Sequence, residues 1–158
     1  MKRDELLRRA IEIAANARAH GNHPFGALLT DAQGNILLES ENTVNTERDA
    51  TGHAETNLIR LASQKYSAEE LKDCTLYTST EPCPMCSGAI FWGDVRHVVY
   101  ALSEEGLYEI TGKTPYELAL SCRDVFARGT HSVDVVGPLL EEEARKVHLG
   151  FWREDEPT

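Results

Sequence analysis

The sequence predicts an α/β fold with three layers, α/β/α, around a mixed central five-stranded sheet. Three observations predict it. A β-hairpin follows the first helix. Beyond it, strands and helices alternate, the order that builds parallel pairing with helices on both faces. Five short runs also carry the apolar, β-branched and aromatic residues of strands. A chain of 158 residues suits one domain, 1–158, with about 150–158 as a tail or lid. At this size roughly 68–70% of the unfolded surface can be buried, so disulfide staples are not needed.

The elements follow in order. Leu6, Leu7, Ala10, Ile11, Ala14 and Ala17 recur at three- and four-residue spacing, which predicts an amphipathic helix over 3–19 that Gly21 stops. FGALLT at 25–30, a turn at 31–35 and a second strand from Ile36 predict a hairpin over 25–40. Residues 41–52 are polar and read as a loop or strand end. Ala54, Leu58, Ile59, Leu61 and Ala62 mark a helix over 53–64. Ser67 and Glu70 have the spacing of a capping box and start one helical turn. CTLYTST at 74–80 is a strand, 82–93 a loop entering a helix, and VRHVVYAL at 95–102 a buried strand. A helix over 115–120, a strand over 133–136 and a helix over 138–150 complete the pattern. The charge run from Arg153 to Thr158 reads as a solvated terminus.

Composition narrows the function classes. Twenty-six acidic against 16 basic residues give a net charge of −10, which argues against nucleic acid as a partner. No apolar run of about 18 residues exists, so no membrane span is expected. The charged opening, Met1-Lys2-Arg3-Asp4-Glu5, lacks the apolar region of a signal peptide, which points to the cytoplasm. In that setting the four cysteines, 74, 83, 86 and 122, suggest metal or redox chemistry before a structural disulfide.

Cys83 and Cys86 stand three apart at the start of a helix, so both sulfurs can face one way. The helix N-terminus favours thiolate, and two thiolates side by side call for a shared cation, for which zinc is the natural choice. Cys74 and Cys122 offer no second pair to close a structural site. His53 and Glu55 form His-x-Glu at the start of the preceding helix, entered from the same end of the sheet. Three ligands, His53, Cys83 and Cys86, then leave one tetrahedral position of a single zinc for water. Glu55 is better placed to exchange protons with that water than to bind the metal. Taken alone, His53 reads as a helix cap and Glu55 as a first-turn acid favoured by the helix dipole. The conjunction His-x-Glu with Pro-Cys-x-x-Cys some 30 residues on is the signature of zinc-dependent nucleobase deaminases.

TGHAETNLIR together with YTSTEPCPMCSGAI resembles the cytidine deaminase-like superfamily. PFGALL, Asn42, EPCPMCSGAI and the following FWG are most similar to bacterial guanine deaminases. The resemblance implies that Asn42 hydrogen-bonds the substrate and that Ala54, Phe25 and Gly26 line the pocket. It places Trp92 against the base. It implies a homodimer, with Phe151 and Trp152 as candidates for an aromatic lid that some members exchange between subunits. It also implies a second acid downstream of the last core strand. The region SEEGLYEITGKTPYE lacks the usual Phe-Asp-Asp, which leaves Glu104, Glu105, Glu109 and Glu117 as candidates. The expected activity is zinc-dependent hydrolysis of a small amino-heterocycle, guanine to xanthine plus ammonia, in purine metabolism. Deamination of a tRNA wobble adenosine, deamination of cytosine or a nucleoside, and a non-catalytic zinc-binding domain are the alternatives.

Overall fold

The computed structural model describes residues 2–112 and 114–152. The first helix, α1, spans Arg3–Ala19 and buries the apolar stripe expected of it, Leu6 to Ala17. Gly21, at φ +94°, turns the chain out of the helix. The hairpin strands are β1, Gly26–Thr30, and β2, Ile36–Glu41. They are followed by α2, Ala54–Lys65, and α3, Ala68–Leu71. The capping box at α3 is complete, with Ser67 and Glu70 each serving the other's backbone N–H. Then come β3, Thr75–Thr80, α4, Pro84–Trp92, and β4, His97–Leu102. The last third holds α5, Glu104–Thr111, α6, Cys122–Ala127, β5, Asp134–Val136, and α7, Glu141–Lys146.

The sheet order is β2-β1-β3-β4-β5. β1 is antiparallel to both β2 and β3, whereas β3, β4 and β5 run parallel. Both faces of the sheet are covered. Ala27, Leu29, Leu76, Val98 and Tyr100 pack with α2, α4 and α6 on one side. Leu28, Tyr77, Val99 and Ala101 pack with α1, α5 and α7 on the other. The alternation is the strand period, with successive side chains crossing the sheet. α1 lies so close to β1 that a Cβ at Gly26 would stand 2.5 Å from the Ala10 carbonyl oxygen and from the Ala14 nitrogen. Only glycine fits there.

Two expectations are corrected. Residues 115–120 form a turn and irregular chain, not a helix. Tyr116 and Leu118 are 90% and 61% exposed, so no apolar face is buried that would stabilise a helix there. The helices lie on either side of it instead. Ser103 accepts the Gly106 N–H to start α5, and Ser121 accepts the Asp124 N–H to start α6. The final helix is shorter than 138–150, because Leu140 takes a left-handed backbone, φ 54°, and helical geometry begins only after it. The charge run from Arg153 onward lies outside the described residues. Among the described residues, no helix is long and apolar enough to cross a membrane.

Candidate active site

His53 is the N-cap of α2, and Cys83 is the N-cap of α4, which follows directly from the parallel strand β3. Both caps have extended backbone, and neither uses its side chain to cap its own helix. The imidazole and the thiol are therefore free to turn toward each other. Pro84 occupies the first turn of α4, where a missing N–H costs nothing. One turn in, Cys86 is wholly buried.

The three side chains converge. His53 Nδ1 lies 3.5 Å from Cys83 Sγ and 3.6 Å from Cys86 Sγ. All three ligand atoms fall within 4.8 Å of one another. A tetrahedral zinc with ordinary Zn–N and Zn–S bonds separates N from S by about 3.6 Å, so the donor set matches zinc in chemistry and in spacing. Without a cation the two thiols share one proton. The hydrogen bond from Cys86 pulls Cys83 down to about 4, whereas the Cys83 thiolate and burial hold Cys86 well above the ordinary thiol range. The hydrogen bond to Cys83 raises His53. A divalent cation is what allows both sulfurs to be thiolates together. Thr56, the residue after Glu55, stands 3.2 Å from Cys86 Sγ through its hydroxyl. Nothing in a single sequence marks it for that contact.

Glu55 is 6% exposed on the first turn of α2. Burial, with the Cys83 charge added, pushes its carboxyl up to about 8. Ala54, the first residue of α2, is buried beside it.

Residues 1–102 match the family described as the cytidine and deoxycytidylate deaminase zinc-binding region. The chain belongs to that family. It is thus a zinc-type deaminase by descent, of a family that hydrolyses C–N bonds. A probable cytosine deaminase of Schizosaccharomyces pombe is 43% identical over 149 residues, 92% of this chain and 90% of that one. A tRNA-specific adenosine deaminase of Bacillus subtilis is 34% identical, covering 98% of this chain and 91% of the relative. The solved guanine deaminase of Bacillus subtilis superposes with a TM-score of 0.64 at 42% identity, over 69% of each chain.

Around the deaminase centre the structure sorts the remaining candidates. Asn42 is buried at the strand end, its N–H bonded to the Phe25 carbonyl at 3.1 Å. Its Oδ1 accepts the Val44 N–H, and its Nδ2 has no partner among the described residues. Gly26 donates its N–H to the Ser79 hydroxyl. Phe151 and Trp152 pack within the same chain against His23, at ring separations of 5.7 and 5.2 Å, and Trp152 also meets Phe25 at 6.0 Å. Arg18 holds that segment by donating to the carbonyls of Val147 and Leu149.

Trp92 is not brought to the metal ligands. It ends α4, 82% exposed, about 14 Å of helix away from Cys83. Of the four glutamates, Glu105, Glu109 and Glu117 face solvent. Glu104 is half-buried, and its carboxyl is raised by burial, by the Glu81 charge and by Cys83. The Tyr108 hydroxyl donates to it. Sequence reasoning missed Glu81, which receives the backbone N–H groups of Glu104 and Cys122.

Proposed function

We propose that the protein hydrolyses the exocyclic amino group of a free nucleobase, releasing ammonia. One observation carries this reading: a buried carboxylate, Glu55, stands beside a donor set of three residues, one fewer than a closed tetrahedral zinc site uses. His53, Cys83 and Cys86 would hold the zinc, which would supply the Lewis acidity that brings the pKa of a water near neutrality. Glu55, buried on the first turn of α2, would hold the proton drawn from water and pass it to the departing nitrogen, first as base and then as acid. Its carboxyl, already raised by the apolar surroundings, suits both roles near neutral pH. Asn42 orients the base from the side. Glu104, with Glu81 behind it, is the second acid.

Guanine to xanthine is the first substrate reading, supported by HPFGAL, Asn42 and the 42% identity to a guanine deaminase. Cytosine to uracil is the second, favoured by a likeness to a probable cytosine deaminase that extends along 92% of the chain. The charge of −10 weighs against tRNA, whose phosphates call for basic clusters. A homodimer belongs to this reading, and the exposed Leu61 of α2 and Trp92 of α4 support it as apolar surface left without a partner in one chain.

Ammonia release is to be measured with guanine, cytosine, adenine, guanosine and a wobble-adenosine tRNA. Turnover of one free base, with a loss of about a hundredfold or more in Glu55→Gln at unchanged zinc content, is the expected result. Full activity in that variant, or turnover of the tRNA alone, overturns it.

A further inference from the structure

His23 precedes Phe25 in the connection between α1 and β1. The Phe25 N–H donates to the His23 carbonyl at 2.8 Å, and the Phe25 carbonyl receives the Asn42 N–H at 3.1 Å. Backbone bonds thus tie His23 and Asn42 to the two sides of one residue. The imidazole of His23 is half-buried. Phe151 and Trp152 meet it edge-on, with interplanar angles of 69° and 65°. Aromatic edges fix a ring without consuming its hydrogen-bonding groups.

Those groups are unspent. Among the described residues, no protein atom hydrogen-bonds either ring nitrogen of His23. Two histidines nearby differ: His20 Nδ1–H donates to Glu41, and His148 Nδ1 accepts the Trp152 indole N–H. Burial, with the His53 charge close by, holds His23 below the ordinary imidazole range. Its neutral ring offers one donor and one acceptor. A pocket for a base needs few polar groups, and those it has set the specificity, because a mismatched base leaves them unpaired.

We infer that His23 is a specificity-determining residue, whose imidazole, clamped between Phe151 and Trp152 and beside Phe25, hydrogen-bonds the polar edge of the base held at the His53–Cys83–Cys86 centre. The inference rests on the free-base reading. Asn42 and His23 then grip the heterocycle from either side of Phe25, while Glu55 does the proton transfer.

The test uses full-length protein loaded with zinc and the variants His23→Ala and His23→Asn. Kinetics are measured with guanine and cytosine, and zinc is counted per chain. His23→Ala is expected to raise KM for the better base by roughly tenfold, the worth of one neutral hydrogen bond, with little change in kcat. The preference for that base over the other shrinks by a similar factor. His23→Asn, which keeps a donor and an acceptor, recovers part of both. In the wild type, adding xanthine or uracil, whichever is the product, shifts the His23 ring nitrogen resonances. Unchanged preference in His23→Ala, an equal loss on both bases, or ring resonances that ignore the product each overturn this inference alone. A wild-type protein that deaminates no free base overturns the functional reading, and this inference with it.

Discussion

Glu81 Oε1 accepts the backbone N–H of Glu104 at 3.1 Å. Its other oxygen accepts the N–H of Cys122 at 2.9 Å. One carboxylate at the end of β3 therefore pins the starts of α5 and α6, and with them the acid proposed as second proton carrier. Glu81→Ala leaves two N–H groups without their charged acceptor, at a cost of about 2 kcal/mol. The expected fall in Tm is about 4–8 °C, read by calorimetry. Activity is expected to fall while zinc content stays at one per chain. Unchanged activity removes Glu81 and Glu104 from the mechanism.

The sulfurs at the site are not equivalent to the others in the chain. Cys74 donates its thiol hydrogen to the Glu70 carbonyl, and its thiol is held up by burial. Cys86→Ala is expected to abolish tight zinc binding and turnover together, and Cys74→Ala to spare both. Elemental analysis of the purified variants decides it. Removing the metal with a chelator is expected to stop turnover, and restoring zinc to return it.

His148 gives the protein a pH dependence of stability. It is fully buried, and burial first, then Arg18 and Arg145, push it down to about 4. Unfolded, it titrates near 6.5. Between about 4 and 6.5 the unfolded state binds the extra proton, so the contribution is complete above pH 6.5 and is lost as pH falls toward 4. The loss amounts to about 3 kcal/mol at most. Denaturant midpoints measured from pH 7 to 4 are expected to fall less steeply in His148→Gln. Parallel curves for the two proteins contradict the assignment.

Gly26→Ala tests the contact between α1 and β1. The added methyl group would meet backbone atoms of Ala10 and Ala14, which cannot swing aside as a side chain does. Overpacking of this kind costs roughly 1–3 kcal/mol. A variant as stable as the wild type shows that α1 can move outward freely.

How much was legible in the sequence follows from where each signal resides. The stripe of α1, the hairpin and the five strands are written in local periodicity, and burial in the sheet agrees with it. The metal ligands are legible because their spacing is a local property of two helix starts. α5 escaped notice because it is short and carries Gly106, although Ser103 marks its beginning. Pro115 resembles a helix start, yet the apolar residues after it find nothing to cover them. Which of the four glutamates is half-buried was not legible, because the carboxylate that receives the Glu104 N–H, Glu81, is 23 residues away. Trp92 was read from its closeness in sequence to Cys83, but a helix carries that distance away from the site.

The strap that packs on His23 and Phe25 also imposes an order of assembly. Arg18 grips carbonyls 129 and 131 residues downstream, and Phe151 and Trp152 reach back to His23. During synthesis the zinc ligands emerge long before that strap does. Cys86 precedes Phe151 by 65 residues, so at about 5–20 residues per second the ligand residues are made several seconds before the aromatic pair that packs on His23. The contacts that hold His23 are therefore among the last that the growing chain can complete.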